Sequence, residues 1–263
     1  MNRLGRLGLG LVFAAGVLSA AGSASANDRH FGYTYETAVL PPGHRELEVW
    51  TTWRGGRDSY YSRFDHRLEF EVGVTGQLMT AFYLNFHALT EKNAEDVRES
   101  RFVYDGVSSE WKLKLSDPVA DAIGSAGYLE FTAGPSLYEI EAKLLLDKRL
   151  GNILIAGNLV GEVEWEVEPE ETKRELVASP VIGVSYVVSP SFAAGLEVRN
   201  ENVIEEGEVE ASMLSAGPTI AVSDETYWAT LSFLPQITDL KAGKRNTTTD
   251  SAYELRLLFS FHL

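Results

Sequence analysis

The last stretch of the chain, Ala252-Tyr-Glu-Leu-Arg-Leu-Leu-Phe-Ser-Phe-His-Leu263, decides the fold. Every second residue from Tyr253 to Leu263 is apolar or aromatic, whereas the residues between them are mostly polar. Successive side chains of a β-strand point to opposite faces, so the stretch predicts a strand with one apolar face. Its length suits a bilayer, because a transmembrane strand needs ~9–11 residues to cross the hydrocarbon core.

An alternating apolar strand at the very end of a chain resembles the closing strand of bacterial outer-membrane β-barrel proteins. In this chain the strand carries Phe259 and Phe261 and ends in Leu263. The segments Gly32-Tyr-Thr-Tyr35 and Pro41-Pro42-Gly43 are also similar to the start of an uncharacterised family of such barrels. The resemblance implies a barrel in a Gram-negative outer membrane. Its partners would be the barrel insertion machinery, outer-membrane lipid and lipopolysaccharide.

The other end of the chain has the organisation of a secretory signal peptide. Arg3 and Arg6 precede an apolar run from Leu7 to Ala21, and Ala24-Ser25-Ala26 follows as a small-residue cleavage site. These three regions predict that residues 1–26 are removed during export. A membrane-anchoring helix is the alternative, but the apolar run is short and broken by glycine. The predicted location of the mature protein is the outer membrane.

The composition excludes several classes of function. Asp and Glu number 38 against 23 Lys and Arg, and loss of Arg3 and Arg6 with the signal peptide shifts the formal charge by two, from −15 to −17. Phosphate binding needs clustered Lys and Arg, so we expect no nucleic-acid partner. The absence of cysteine excludes disulfides, a lipoprotein anchor and thiol chemistry. No apolar run of ~18 residues follows the signal peptide, and no glycine-rich phosphate loop or paired-histidine spacing predicts a cofactor.

The same alternation recurs along the chain and predicts twelve strands, an even number as in single-chain bacterial barrels. In the second of them, Leu68, Phe70 and Val72 alternate with charged residues. The predicted fold is therefore all-β: an antiparallel, up-and-down transmembrane β-barrel that covers residues 27–263. Residues 27–44 are aromatic and rich in turn formers, and we expect them to form a periplasmic lead-in.

Polar and turn-forming segments predict the connections between the strands. Long loops are expected at 88–100 and 237–250, a shorter loop at 202–207, and one helical turn at 117–125. Aromatic residues near both rims predict girdles at the membrane interfaces, and Trp228 is assigned to one of them.

A soluble periplasmic β-sandwich or a lipocalin-like barrel shows the same alternation. In such a protein the apolar face would point inward and the charged face outward. The signal peptide, the even strand number, the girdles and the closing strand together favour the membrane barrel.

The polar faces of the predicted strands carry many charges, which a membrane barrel directs into its lumen. Buried acids and bases must pair or become neutral, so cross-strand ion pairs could close the lumen and leave a membrane-structural or interaction protein. Alternatively, glutamates that line a pore favour cations, which predicts a narrow passive channel or a barrel that binds small cations or solutes. The predicted lumen-facing charged residues are Glu46, Glu48, Arg67, Glu69, Glu71, Lys112, Glu139, Glu141, Lys143, Glu162, Arg199, Glu254 and Arg256.

A further group of acids is predicted at the outer rim. Carboxylates at high density suit Ca²⁺ or Mg²⁺, which could bridge to lipopolysaccharide phosphates. A solvated acidic surface without a defined site is the simpler interpretation, so the metal assignment stays open. The acids are Glu164, Glu166, Glu168, Glu170 and Glu171 on one side and Glu201, Glu205, Glu206, Glu208 and Glu210 on the other.

The third functional class is a lipid-active outer-membrane enzyme. Such an enzyme needs a nucleophile with a base near the rim. His87 is predicted to face inward near the outer end of the third strand, where Ser62 or Ser100 could approach it. No surrounding motif supports catalysis, so a structural histidine is the favoured interpretation.

Overall fold

The computed structural model describes residues 28–93, 95–167, 169 and 172–263. The signal peptide predicted for residues 1–26 lies outside this part of the chain, as do Glu168, Glu170 and Glu171 of the acidic rim. In the described residues, no helix is long and apolar enough to cross a membrane.

Twelve antiparallel strands in the described chain form one closed barrel, which confirms the predicted fold class. Each strand pairs with its neighbours in sequence, and β1 pairs with β12 to close the ring. The strands are β1 (Arg45–Gly55), β2 (Tyr61–Gly73), β3 (Leu78–Lys92), β4 (Arg98–Ser116), β5 (Gly124–Ala133), β6 (Leu137–Leu150), β7 (Ile153–Val167), β8 (Thr172–Ser189), β9 (Phe192–Glu205), β10 (Glu208–Ser223), β11 (Tyr227–Asp239) and β12 (Tyr253–His262). We call the end at which β1 begins and β12 ends the terminal end, and the opposite end the loop end.

The strands place apolar side chains outside and polar side chains inside. Phe82 and Leu257 are 53% and 45% exposed on the outer face. On the inner face, Glu48 and Ser260 are fully buried, and they are cross-strand partners of each other. This distribution is the reverse of the one expected for a soluble sandwich or a lipocalin-like barrel.

Several predicted connections are wrong because the strands extend beyond the alternating pattern. β3 continues to Lys92 and β4 begins at Arg98, so most of the predicted loop 88–100 is a regular hairpin ladder. The predicted loop 202–207 reduces to Glu206 and Gly207, whose φ angles of 51° and 87° are those of a two-residue type I′ hairpin turn.

Three other expectations are met only in part or need correction. The segment predicted as one helical turn at 117–125 contains such a turn, closed by a hydrogen bond from the Asp121 N–H to the Asp117 carbonyl at 3.0 Å, but β5 already begins at Gly124. β11 continues to Asp239, so the last loop occupies residues 240–252. Trp228 is not a girdle residue, because its side chain points inward and is 1% exposed.

Residues 28–44 are called the N-terminal segment from here on; residues 28–40 lie inside the barrel, and residues 42–44 are exposed just before β1. Followed backwards from the start of β1, the segment rises into the lumen as far as Tyr33. It then returns towards the terminal end, where Asp28 approaches His262 of β12. Phe31, Thr37 and Leu40 along this path are at most 2% exposed. The described part of the predicted lead-in is therefore a plug within the lumen.

Candidate functional site

Glu197 of β9 holds the tip of the N-terminal segment. Its carboxylate accepts hydrogen bonds from the backbone N–H groups of Gly32, Tyr33 and Thr34 at 2.7–2.9 Å. The hydroxyls of Thr34 and Ser232 donate to it as well, at 3.0 and 2.7 Å. One buried carboxylate therefore accepts hydrogen bonds from three consecutive backbone N–H groups, which would otherwise have no partner because they are shielded from water.

Two further lumen residues fix the rest of the segment. The amide of Asn158 on β7 accepts from the Tyr35 N–H at 2.6 Å and donates to the Tyr35 carbonyl at 2.9 Å, as a neighbouring strand would. Asp147 on β6 accepts from the N–H of Thr37 at 3.0 Å and from its hydroxyl at 2.7 Å. The segment thus fills the terminal half of the lumen, and two cavities found beside it measure only about 20 Å³ each.

Cations of the barrel wall pack on the aromatic rings at the tip. The Arg256 guanidinium lies 4.0 Å from the Tyr33 ring centre and the Lys143 ammonium 3.9 Å from that of Tyr35. Such cation–π contacts strengthen where water is excluded. They make the two tyrosines a rigid partition across the barrel.

Above this partition the loop half of the lumen contains a cavity of about 550 Å³, called the cup from here on. Tyr33, Tyr35 and Trp50 line its lower part. Ser136 and Glu166 also line it and are exposed, so the cup reaches solvent at the loop end. This volume lies in the range of small-molecule sites.

The charged residues of the cup lie mostly on two walls of opposite sign, although Asp65 lies among the arginines and Lys143 among the glutamates, where it pairs with Glu141 at 2.7 Å. A basic wall is formed by β12, β1 and β2, and an acidic wall by β6 and β7. Because β1 and β7 are half a turn apart in the twelve-strand ring, the two walls face each other across the lumen. The basic wall contains Arg54, Arg63, Arg67 and Arg256, and the acidic wall contains Glu139, Glu141, Glu162, Glu164 and Glu166.

Most of the basic side chains form ion pairs, either within the wall or with acids of other strands. Asp65 pairs with Arg54 and, at 2.6 Å, with Arg63. Arg67 pairs with Glu130 at 3.2 Å. On β9, Arg199 pairs with Glu254 at 2.6 Å. These bonds fix the side chains, as the salt-bridged interpretation of the lumen expects.

Charges of both signs remain without an ion pair among the described residues. Arg256 forms no salt bridge there: it donates to the Thr52 hydroxyl at 2.9 Å and to the Gly32 carbonyl at 3.2 Å. Glu139, Glu162 and Glu164 form none either. Each of these three offers a carboxylate oxygen within 4.8 Å of the others. The cup therefore combines an acidic pocket with an arginine that has no counter-ion.

The thirteen charged residues predicted for the lumen all lie on the inner side and fall into two groups. Those that line the cup are Arg67, Glu139, Glu141, Lys143, Glu162, Arg199 and Arg256. Glu254 is buried behind it as the partner of Arg199. The terminal half contains Glu46, Glu48, Glu69, Glu71 and Lys112, each at most 5% exposed.

Arg54, Arg63 and Asp65 belong to the site although they are not among the residues predicted for it. Their positions continue the inward parity of β1 and β2, so the alternating pattern does indicate them. The N-terminal segment was not predicted to enter the lumen either, although Phe31, Tyr33 and Tyr35 alternate there as apolar residues do in a half-buried strand.

His87 does face the lumen, but its partner is an acid. Its Nδ1 lies 2.8 Å from Oδ1 of Asp105. A β-bulge at this point of β4, next to Gly106 with φ of 134°, shifts the register and turns Asp105 inward. Ser62 instead accepts a hydrogen bond from Trp53, and Ser100 bonds to Thr90. In the described chain neither serine is paired with His87 as an enzyme would require.

Comparison with known proteins agrees with the barrel architecture. The solved structure of a NanC porin is similar to this chain with a TM-score of 0.51 and 12% identity over 82% of this chain and 100% of that chain. The β domain of the Bordetella autotransporter BrkA gives a TM-score of 0.52 and 7% identity over 84% of this chain and 100% of that chain. At these identities the likeness concerns the fold alone. No curated protein matches the sequence, and a model described as "Family of unknown function (DUF6662)" matches residues 23–258.

Proposed function

The chain belongs to DUF6662, a family of unknown function, and from its own lumen we propose that it is an outer-membrane barrel that binds a small zwitterionic solute. The observation that carries the proposal is the opposition of Arg256 and the pocket of Glu139, Glu162 and Glu164 across the cup. A solute with a carboxylate at one end and an ammonium group at the other complements both.

The membrane location is supported by the outer surface. In lipid every backbone polar group must be satisfied within the protein, and a closed barrel achieves this without an edge. The outward faces of the strands supply a continuous apolar surface, and the predicted signal peptide supplies export. In this proposal outer-membrane lipid and lipopolysaccharide contact that surface. Fractionation of the producing cells and heat-modifiable migration of the purified protein test it.

The electrostatics of the cup support a solute with two charges. Opposed charges on the two walls of a cavity create a field across the lumen, and a dipolar molecule aligns with such a field. A simple anion bound beside the arginines would be repelled by the glutamates of the opposite wall, and a simple cation bound beside the glutamates would be repelled by the arginines. Each would therefore lose part of the binding free energy that it gains from the attractive wall.

The partition controls whether a bound solute can pass through the barrel. Tyr33 and Tyr35 close the lower end of the cup, so passage through the barrel requires the N-terminal segment to move. In this proposal the protein binds its solute from the loop end and admits it only when the segment leaves the lumen. A permanently closed, membrane-structural barrel is the second candidate, because the segment is buried and hydrogen-bonded along its length.

Three probes of nearly equal size test the charge requirement: 4-aminobutyrate, butyrate and butylammonium. We expect calorimetric titration of the detergent-solubilised protein to show at least tenfold tighter binding of 4-aminobutyrate, or about 1.4 kcal/mol. The R256Q variant should bind 4-aminobutyrate no better than butylammonium. The E162Q/E164Q variant should bind it no better than butyrate.

The matched control is E210Q, which removes a carboxylate that pairs with Lys241 on the exposed surface outside the cup. It should bind 4-aminobutyrate as the unmodified protein does. Equal binding of the three probes, or no heat with any of them, would contradict the zwitterion proposal. Such a result from a correctly inserted barrel would favour the structural candidate.

A further inference from the structure

Four glutamates form a square on the inner wall of the terminal half, away from the cup. Glu46 of β1 lies directly opposite Glu71 of β2, and Glu48 lies opposite Glu69. None of the four is more than 5% exposed. Like charges in directly opposed positions destabilise a sheet, and buried carboxylates need a compensating charge or a proton. The negative charge of these four carboxylates therefore requires cations or protons that neutralise it.

Hydrogen bonds hold one oxygen of Glu48 and one oxygen of Glu46, and the second oxygen of Glu48 remains available. Oε2 of Glu48 accepts from the indole N–H of Trp50 at 2.8 Å, while its Oε1 is buried with no hydrogen-bond partner. Oε2 of Glu46 accepts from the indole of Trp228 at 3.0 Å and from Ser260 at 2.8 Å. Outer hydrogen bonds of this kind orient the carboxylates that bind metal ions.

Glu69 supplies an independent sign that a ligand belongs here. Its side chain is 1% exposed, and neither carboxylate oxygen accepts a hydrogen bond from a basic, amide or hydroxyl donor of the described chain; the side chain it contacts is a second acid, Glu71. Glu69 and Glu71 line the same cavity of about 20 Å³. This volume suits one water molecule or one ion without further ligands of its own. An orphaned carboxylate beside such a cavity is costly unless a cation or a proton occupies it.

The cations of the described chain do not balance this region. Arg29 of the N-terminal segment and Lys112 of β4 line the same small cavity, which also contacts Glu110. Apart from Glu36 and Asp28, which lie beside His30 and His262, two basic side chains thus face five carboxylates: Glu46, Glu48, Glu69, Glu71 and Glu110. His262 is near, with Nε2 3.6 Å from Oε1 of Glu46. One divalent ion would remove most of the remaining negative charge.

We propose that Glu46, Glu48 and Glu71 bind one hard divalent cation of the Ca²⁺ class. One oxygen from each of the three lies within 4.8 Å of the others. Two ligands at ~2.3–2.6 Å from a common Ca²⁺ can be up to about 5 Å apart, so the spacing allows all three to share an ion. Ligands that are all carboxylates select a hard cation. The site is separate from the cup and does not rest on the function proposed for it.

Terbium luminescence provides a local test, with Tb³⁺ as the probe for Ca²⁺. Trp50 and Trp228 donate hydrogen bonds to two of the proposed ligands, so excitation of tryptophan should sensitise a bound Tb³⁺. We expect the mature, detergent-solubilised barrel to give a saturable signal at one ion per chain that Ca²⁺ displaces. The E48Q/E71Q variant should lose this signal. W50F, which keeps all ligands but removes the donor to Glu48, should weaken Ca²⁺ binding, measured by calorimetry, by about 10–100-fold.

The control is E139Q/E162Q/E164Q, which removes the other acidic group of the lumen and should leave the terbium signal unchanged. Thermal unfolding with Ca²⁺ and with EDTA gives a second readout, because Ca²⁺ should raise the Tm of the control but not that of E48Q/E71Q. If the glutamates are instead neutralised by protons, the unmodified protein will bind neither ion at pH 7, which overturns the proposal. A signal that survives in E48Q/E71Q overturns it as well.

Discussion

At the scale of single residues, Glu197 anchors the N-terminal segment in the lumen, because it accepts hydrogen bonds from three successive backbone N–H groups. In E197Q an amide N–H₂ replaces one carboxylate oxygen and faces donors instead of accepting from them. We expect a loss of about 1–3 kcal/mol of unfolding free energy, the usual cost of unsatisfied buried donors. Urea titration of the detergent-solubilised barrel measures it.

The same variant should loosen the N-terminal segment specifically. Arg29 is 9% exposed, so we expect it to resist trypsin while the segment stays in the lumen. Cleavage after Arg29, followed by mass spectrometry, should therefore accelerate in E197Q but not in E166Q, whose carboxylate lies at the mouth of the cup. An unchanged cleavage rate in E197Q would show that this carboxylate does not anchor the segment.

The sequence predicted which charged residues face the lumen better than it predicted their partners. Alternation fixes the side of the barrel, because residues two apart share a face. It does not fix partners such as Arg199 and Glu254, which lie on β9 and β12, strands that are not adjacent. Their pairing depends on the width of the lumen and on the segment inside it. The alternating pattern of a single strand contains no information about either of these two features.

At the scale of elements, Gly183 of β8 makes room for the N-terminal segment. A Cβ at this position would lie 2.6 Å from the ring of Phe31, which is fully buried. G183A should therefore displace Phe31 and cost about 1–3 kcal/mol, as overpacking does. We expect larger and more frequent single-channel openings in a planar bilayer than the unmodified barrel gives.

Gly161 on β7 provides the matched control, since a Cβ there would meet nothing within 4 Å. G161A should change stability by no more than ~0.5 kcal/mol and leave the conductance unchanged. If G183A and G161A behave alike, the packing of Phe31 against β8 does not close the barrel.

The connection between β4 and β5 contains a carboxylate whose titration can be followed. The Asp117 carboxylate accepts from the Lys114 ammonium at 2.6 Å and from the N–H groups of Ala120 and Val119 at 3.0 and 2.8 Å. These bonds lower the pKa of Asp117 from 3.8 to about 2. Because the folded pKa is depressed, the stabilisation is complete above pH 3.8 and is lost as the pH falls through about 2.

NMR titration of the Asp117 carboxyl carbon measures this pKa. In K114Q, which removes the ammonium donor but keeps the backbone donors, the pKa should move part of the way back towards 3.8. A value near 3.8 in the unmodified protein would show that the turn is not formed as described.

Strand positions followed from the sequence, but strand ends did not. The alternating pattern exists because one face of each strand contacts an apolar environment and the other does not. Beyond that environment both faces meet water, so β3 and β4 continue to Lys92 and from Arg98 without an apolar signal. Their ladder is maintained by backbone hydrogen bonds, which do not depend on side-chain type.

At the scale of the whole molecule, the apolar outer surface predicts how the barrel responds to charge. Leu84 lies near the middle of the barrel, opposite Leu68 on β2 and Val107 on β4, and Leu115 lies near the terminal end of β4. Both side chains are exposed on the outer face. An arginine on the lipid face costs ~2–4 kcal/mol at the bilayer midplane and ~0–1 kcal/mol near its surfaces.

L84R should therefore lose about 2–4 kcal/mol of unfolding free energy in lipid vesicles, and L115R at most about 1 kcal/mol. Urea titration of the refolded protein, followed by heat-modifiable migration, gives both values under one condition. The difference between the two variants is the informative quantity, because each introduces the same side chain into a strand of the same barrel. Equal losses would mean that the outer surface does not lie in a bilayer, because in a uniform solvent the cost of an arginine does not depend on its position along the barrel axis.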